Sequence, residues 1–381
     1  MLKILIVITR GIVGGAPTSV LNLAKELKAR QINVCVGFGE ENFLKKELIK
    51  NNINFHQFKW LKRTHNPFVN LLFVLEIKNF LNKNHFTTTH FNSANALFGA
   101  IGAKLSRFNP KTIFTVRGLS VLSPNYQKNK ILKPIYYWFF RLLFYFINTI
   151  VFISYRDLEI AKKIKLNKKS IVIYNGIEPN ELNFFSSEKG RGLLEQKTEV
   201  SLQNKFIIGS IGRLDYQKNY EFLINVFPKI LKFKNNAVCL IVGAGTEEKK
   251  YQNLIHKLNL ENKIFLLGEI KNASQYIKAF DLFVLPSRYE GLSIVLIEAL
   301  FAVTPILAAN VGGNAEVVNN SAEQLYELDN ENDFLKKFKN LIANPQLCQS
   351  IMEQNKISGQ QFLLKKTADE YLKIYQNENL N

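Results

Sequence analysis

The stretch RYEGLSIVLIEAL, residues 288–300, holds two glutamates separated by seven residues. Glu298 lies in an apolar run, with Ile294 to Ile297 before it and Ala299, Leu300 and Phe301 after it. A carboxylate there is costly to desolvate unless something partners it. It accepts two hydroxyl hydrogen bonds well, so a ribose diol suits it; an ion pair or a solvated helix face would also satisfy it. Glu290 falls in the loop after the strand-like DLFVLPS, next to the cleft or as a simple charge on a helix dipole. Gly291, Leu292 and Ser293 then present free backbone N–H groups at a helix start, a site for phosphate. A second group is GSIGRLDYQKNYEFLI, residues 209–224. Gly212 ends a strand, and Arg213 and Lys218 lie in the loop before a helix. One fork and one point charge at a strand's carboxyl end suit a diphosphate, although two solvated loop cations are the plainer reading. A third is TRGIVGGAPTSVLNLAKEL, residues 9–27, where Gly14 and Gly15 open a helix that follows a strand. Close backbone approach to an anion and a tight turn explain it equally. It is not G-x-G-x-x-G, and no acidic residue follows at the ribose position.

Elements of alternating type position these loops. Strands are expected near 2–8, 32–38, 86–90, 111–116, 149–153 and 170–173, then near 205–211, 237–242, 263–267, 281–285, 305–308 and 324–327. Helical patterns separate them, including 17–30, 68–82, 95–107, 219–233, 246–258, 293–302, 313–319 and 330–343. Such alternation predicts parallel sheets covered by helices on both faces. The expected fold is α/β: two doubly wound, Rossmann-like domains facing a cleft, with ligand loops beyond the carboxyl ends of the strands. The predicted division is a first domain over 1–180, a polar linker over 181–204 without clear period, a second domain over 205–358, and a last helix over 359–381. Packing back on the first domain is one placement for that helix. The glycine turns IVGAG (241–245) and NVGGNAEV (310–317) suggest several loops built for close backbone approach.

The chain has 381 residues, 47% hydrophobic and 21% charged, enough to build two cores. Cys35, Cys239 and Cys348 are far apart, which argues against a disulfide framework and for a reducing cytosol. The five histidines are scattered, and no metal site is expected. The N-terminus reads as a buried strand rather than a signal peptide, since its apolar run is short and meets Thr9 and Arg10. Residues 134–154 approach the length of a membrane span, but Arg141 sits mid-stretch. A helix over 131–147 followed by a strand fits better. Charge is unevenly placed: residues 1–190 carry 28 Lys/Arg against 10 Asp/Glu, and residues 191–381 carry 22 against 21. Between Leu48 and Arg156 the sole acid is Glu76. The first half therefore suits a polyanion, whether membrane, phosphate-bearing substrate or nucleic acid; a generally basic soluble surface is the bland alternative.

Together, GRLDYQKN, LPSRYEGLSIVLIEAL and TPILAANVGGNAEVV resemble the retaining glycosyltransferases of family 4, the group 1 glycosyltransferases with the GT-B fold. The likeness spans nearly the whole chain and is most specific over 209–317. The resemblance implies that Arg213 and Lys218 hold the donor diphosphate and stabilise the leaving nucleotide. It implies Glu298 on the ribose hydroxyls and Glu290 on the transferred sugar, with no nucleophile role assigned to Glu290. Gly212, Gly291, Leu292 and Ser293 would line the donor, and Gly14 and Gly15 would approach its phosphate from the other domain. The implied donor is a UDP-hexose or UDP-N-acetylhexosamine, with a GDP-sugar behind it, and no metal or other cofactor is needed. Bacterial surface polysaccharide, lipopolysaccharide or capsule synthesis is the implied setting.

Two motifs depart from the family. Relatives often show T-x-H-G where this chain has TVRG (115–118), placing Arg117 in the histidine's position. They often show H-x-H-S where HFNS (90–93) keeps His90 but has Asn92. Arg117 stays charged and cannot act as a base, but it can bind an anionic part of donor or acceptor. His90 and Arg117 are thus the acceptor-side candidates. The basic, aromatic stretch 124–146 suggests docking on an anionic membrane, with a lipid-linked sugar diphosphate or glycan as acceptor and a cytoplasmic, peripheral location; a core helix is the competing reading. An epimerase on a similar scaffold would bind the same donor without an acceptor. A nucleic-acid-binding protein would use the basic half but leaves the glycine loops unexplained, and no nucleic-acid partner is expected.

Overall fold

A computed structural model describes residues 2–12, 14–40, 42–119, 122, 133–167 and 169–376. The chain forms two compact units, Met1–Ile177 with Phe362–Asn381, and Glu178–Gln361. In the first unit, elements alternate as β1 (Lys3–Arg10), α1 (Gly15–Ala29), β2 (Asn33–Glu40), α2 (Asn42–Lys50), β3 (Asn54–Gln57), α3 (Pro67–Asn84) and β4 (Thr88–Phe91). They continue as α4 (Gly99–Lys104), β5 (Lys111–Val116), α5 (Lys133–Phe144), β6 (Thr149–Phe152), α6 (Tyr155–Lys163) and β7 (Ser170–Val172). The seven strands are parallel in the order β3-β2-β1-β4-β5-β6-β7. Central strands such as KILIVITR are buried on both faces, which is why their sequence is an apolar run rather than an alternation.

The second unit begins with α7 (Ser187–Thr198), β8 (Phe206–Ile211), α8 (Tyr220–Phe233), β9 (Ala237–Val242), α9 (Glu248–Lys257), β10 (Ile264–Leu266) and β11 (Leu282–Leu285). It ends with α10 (Ile294–Phe301), β12 (Ile306–Ala309), α11 (Asn314–Val317), β13 (Leu325–Tyr326), α12 (Glu331–Ala343) and α13 (Pro345–Ser358). Its six parallel strands run β10-β9-β8-β11-β12-β13. Each sheet reverses its winding once, at β1/β4 and at β8/β11. Such a switch point leaves a crevice beyond the carboxyl ends of the strands.

The last helix, α14 (Leu364–Tyr375), packs in the first unit, where Ala368, Tyr371, Ile374 and Tyr375 join the core beside α1. The chain returns through a backbone clasp: Ile177 N donates to Phe362 O at 2.9 Å and Leu364 N to Ile177 O at 2.9 Å. A Cβ on Gly176 would lie 2.4 Å from Thr367 Oγ1 and 2.7 Å from Leu364 Cα, so the crossing requires glycine there.

Several elements differ from expectation. The stretch 181–204 contains α7, capped by the Ser186 hydroxyl and packed on the 3-10 segment Ala273–Ala279. Its apolar contacts are few, which hid the period. Strand β3 is short, polar and at the sheet edge, and α13 starts at Pro345 directly after α12. The expected helix over 95–107 is a 3-10 turn, Ala96–Phe98, followed by α4. Residues 124–132 of the basic, aromatic stretch 124–146 lie outside the described residues.

Candidate active site

Three loops at the carboxyl ends of β8, β11 and β12 are tied into one network in the second unit. Lys218 Nζ donates to Glu290 Oε1 at 2.7 Å, with the two side chains 11% and 8% exposed. Ser287 Oγ donates to the same oxygen at 2.7 Å, and Gln217 Nε2 donates to Oε2 at 3.3 Å and to Tyr289 O at 3.1 Å. Arg288 N donates to Gln217 O at 2.8 Å, while its guanidinium bonds to Tyr216 O and stacks on the Tyr216 ring at 4.4 Å. A buried ion pair held by additional hydrogen bonds has its desolvation offset, so this arrangement is a fixed one.

The glycines of these loops face other loops. A Cβ on Gly212 would lie 2.9 Å from Lys218 Cε, so the lysine stem crosses directly over that glycine. Gly243, at φ +145°, and Gly245 would collide with the backbone of Gly212 and Leu214 at 2.0 and 2.3 Å. Gly312, at φ +51°, would meet Glu290 O at 1.9 Å, and Gly313 N donates to Gly291 O at 2.7 Å. The close approach expected for these turns is backbone against backbone, and it locks the loops that carry Lys218 and Glu290.

Helix α10 starts beside this pair. Ser293 is its N-cap, but the hydroxyl caps nothing and is buried without a partner among the described residues. Leu292 is buried, and Gly291 is half-buried. Glu298 is partly buried on α10 and has no hydrogen-bond or ion-pair partner among the described residues. Its apolar surroundings push its carboxyl up to about 7. Arg213, in contrast, points into solvent at 70% exposure and pairs with Asp215 at 3.1 Å. The structure therefore brings together Gly212, Lys218, Glu290 and the start of α10, and ties the exposed Arg213 to that cluster only through Gln217, whose Oε1 accepts from its Nη2 at 3.3 Å. Gln217 and Ser287 were not legible in the sequence, since a glutamine and a serine in a loop carry no pattern of their own. No cluster of three or more His, Cys, Asp or Glu suited to a metal occurs among the described residues.

In the first unit, Gly14 caps α1 in an extended conformation, and a Cβ there would meet nothing within 4 Å. Gly15 begins the helix, and its carbonyl accepts from Ser19 Oγ at 2.9 Å. His90 is fully buried: its Nδ1 bonds Tyr375 OH at 2.7 Å and its Nε2 bonds Thr115 Oγ1 at 2.7 Å. Thr115 Oγ1 in turn meets Tyr371 OH at 2.8 Å. Burial, with Arg117 nearby, keeps the imidazole neutral, its pKa well below the usual value. The acceptor-side expectation for His90 is thereby corrected. It joins β4 and β5 to α14 inside the core and offers no free face to a substrate.

Arg117 sits just past β5. Its two terminal nitrogens donate to Asn175 Oδ1 at 2.6 Å and Asn92 Oδ1 at 2.7 Å. Its Nε is buried without a partner, and no carboxylate pairs with it among the described residues. Desolvation lowers its pKa. Asn92, which departs from the family motif, is thus a structural partner of the other departure, Arg117.

Residues 13–181 match the family described as Glycosyltransferase Family 4, and residues 194–358 match Glycosyl transferases group 1. An uncharacterized glycosyltransferase of Methanocaldococcus jannaschii is 34% identical over 157 residues, 41% of this chain and 40% of that protein. The alignment to this relative thus takes in less than half of either chain. The N-acetylgalactosamine-N,N'-diacetylbacillosaminyl-diphospho-undecaprenol 4-alpha-N-acetylgalactosaminyltransferase of Campylobacter jejuni is 28% identical over 270 residues, 70% of each chain. Among solved structures, Anabaena HepE in complex with UDP and glucose superposes with a TM-score of 0.82 at 21% identity, covering 99% of this chain and 100% of that one. With both halves matched and two parallel, singly reversed sheets, the chain belongs to the group 1, family 4 glycosyltransferases and has the GT-B fold.

Proposed function

We propose that the protein transfers a sugar, with retention, from a nucleotide sugar to a lipid-linked or glycan acceptor in bacterial surface polysaccharide synthesis. UDP-hexose or UDP-N-acetylhexosamine is the proposed donor, ahead of GDP-sugars. The observation that carries this reading is the fixed Lys218–Glu290 pair beside the uncapped start of α10, with the unpartnered Glu298 further along that helix. UDP in the Anabaena complex and the diphospho-undecaprenol acceptor in the Campylobacter relative's name support the choice of donor and acceptor.

In this reading the α10 N–H groups and Lys218 take the donor diphosphate, with the exposed Arg213 swinging in from solvent. Glu298 accepts from the ribose hydroxyls, and Glu290 from a hydroxyl of the sugar. Gly212, Gly291, Leu292 and Ser293 line the donor, and Gly14 and Gly15 are the first unit's candidates for backbone contact with it. The sugar C1–O bond to phosphate breaks, and the nucleotide leaves with the electron pair. The acceptor hydroxyl oxygen bonds to C1 on the same face, and its proton passes to the leaving phosphate oxygen. The fixed Lys218, the incoming Arg213 and the helix N–H groups stabilise that charge without metal. Arg117, lacking a carboxylate, is assigned to an anionic group of donor or acceptor.

A thermal-stabilisation screen of nucleotide sugars, followed by transfer to an undecaprenyl-diphosphate sugar, tests the reading. The expected result is stabilisation by a UDP-sugar and a product with the donor's anomeric configuration by NMR. An inverted product, or isomerised donor formed without acceptor, would overturn it.

A further inference from the structure

One side chain of the second unit faces three ways. Gln217, in the loop after β8, is half-buried against the loop after β11. Its Nε2 donates to Tyr289 O at 3.1 Å and to Glu290 Oε2 at 3.3 Å, and its Oε1 accepts from Arg213 Nη2 at 3.3 Å. Turned the other way, the amide would set its oxygen against a carbonyl and a carboxylate, so one sense alone satisfies it. Both amide protons and the amide oxygen are thereby engaged.

These bonds are not what shapes the loop. The turn closes through Lys218 N, which donates to Asp215 O and to Asp215 Oδ1 at 3.2 Å each. The two loops are also joined without the amide: Arg288 N donates to Gln217 O at 2.8 Å, and Arg288 Nη1 donates to Tyr216 O at 2.9 Å. What the amide adds lies at Glu290. Lys218 Nζ and Ser287 Oγ both meet Oε1, each at 2.7 Å. A carboxylate held at one oxygen can still turn about it. Among the described residues, Gln217 supplies the side-chain bond to Oε2, and that bond sets the plane of the carboxylate. With Oε1 twice occupied, Oε2 is the oxygen with room for a further donor. The Gln217 bond is long and made to a charged group, so it steers Oε2 without closing it.

We propose that Gln217 is a positioning residue that aims Glu290 Oε2 at a hydroxyl of the transferred sugar. This role rests on the donor site of the proposed function and deepens it, by naming the oxygen that meets the sugar and the group that points it. A neutral amide suits the place, because it touches a carboxylate at one end and a guanidinium at the other. A carboxylate there would repel Glu290 and retain Arg213, and an ammonium would do the reverse. An amide of this length donates to the first and accepts from the second, and adds no charge to the Lys218–Glu290 pair.

Kinetics and calorimetry on the full chain test it, with the UDP-sugar that the stabilisation screen selects and with UDP. Gln217→Ala should lower kcat/KM for sugar transfer about tenfold, as expected for losing one hydrogen bond to a charged group. Affinity for UDP, which carries no sugar, should change by less than about threefold. Gln217→Glu keeps the size of the side chain and sets a second carboxyl against Glu290. Two facing carboxyls retain a proton between them, and that proton restores the bond to Oε2. Activity of this variant relative to the native enzyme should therefore rise as pH falls, and that of Gln217→Ala should not. A residue that only stiffened the loop would give neither the split between UDP and UDP-sugar nor that profile. Urea unfolding adds a reading that needs no donor: Gln217→Ala/Glu290→Gln should lose less stability than the two single variants lose together. Additive losses would overturn the proposal, as would UDP and UDP-sugar weakened by the same factor in Gln217→Ala. Native protein that binds neither UDP nor any UDP-sugar would overturn the donor site itself, and this role with it.

Discussion

Binding of a UDP-sugar should expel a proton from Glu298. Desolvation among the apolar side chains of α10 raises this carboxyl to about 7 in the unliganded protein. At about pH 6.5 roughly three quarters of the molecules then carry the proton. Two ribose hydroxyls donating to the carboxylate stabilise the charged form and draw the pKa back toward the ordinary range near 4.3, where almost none is protonated. The expected release is about 0.7 proton per site. Affinity should accordingly rise about tenfold between roughly pH 6 and pH 8, as the free carboxyl ionises ahead of binding. Titration calorimetry with UDP-glucose in two buffers of different ionisation enthalpy reads the proton directly. UDP-glucose suits the measurement because its diphosphate is a diester with no proton to lose in this range. Glu298→Gln should abolish the buffer dependence and flatten the pH profile. Heat independent of buffer in the native protein, or proton release that survives in Glu298→Gln, refutes the assignment.

Lys218→Ala leaves Glu290 in place with Ser287 and Gln217 but removes its buried counter-charge, so the second unit should lose about 3 kcal/mol of stability by urea unfolding. Turnover should fall by roughly 10²-fold or more if the ammonium also stabilises the leaving diphosphate. Gly312→Ala places a Cβ 1.9 Å from Glu290 O at a positive φ, and should cost about 1–3 kcal/mol and reduce turnover, read by thermal unfolding and a transfer assay. His90 should matter for stability and its pH dependence. Its folded pKa is depressed, so its contribution is present above about pH 6.5 and is lost as pH falls through the folded value, with a slope of up to about 1.4 kcal/mol per pH unit. Urea unfolding of the native protein and His90→Gln across that window should diverge with this sign; parallel curves would return His90 to a surface role.

Much of the fold was legible because parallel strands buried on both faces are short apolar runs, as in VCVGFG, FIIGSI and AVCLIV. Strand β3, with the sequence NFHQ, is half-exposed at the sheet edge and has no such signature. The residues proposed for the donor side stood out in the sequence for a different reason. Lys218 and Glu290 are rare charges at the carboxyl ends of apolar strands, and Glu298 interrupts an apolar helix. What the sequence hid was which groups they meet. Gln217 holds Glu290 across 73 residues of chain, as the loops of β8 and β11 are neighbours only in the folded sheet, and Ser287 does so from within the same loop, where no pattern marks it. His90 misled because a histidine at the end of a strand looks the same whether it faces solvent or a tyrosine supplied by the last helix, 285 residues away.

The pairing of Lys218 with Glu290 also bears on how such a site stays folded before its ligand arrives. A lone ammonium buried to this degree would be destabilising, as would a lone carboxylate, and each cancels the other's cost. Gly212 leaves room for the lysine stem and the Tyr220 hydroxyl, each of which would lie 2.9 Å from a Cβ there. Gly312 does the same on the other side, by letting the β12 loop lie against the Glu290 carbonyl. A diphosphate arriving at the α10 start finds the ammonium held in position rather than swinging free, so little side-chain freedom is lost on binding. Glu298 differs in kind: its carboxylate has no partner among the described residues, and in the proposed function it is spared the cost of a buried charge by holding its proton until hydroxyl donors arrive. In the proposed function, α10 and the loops that lead into it thus carry two solutions to the same problem, an ion pair for the group assigned to phosphate and a raised pKa for the group assigned to a diol.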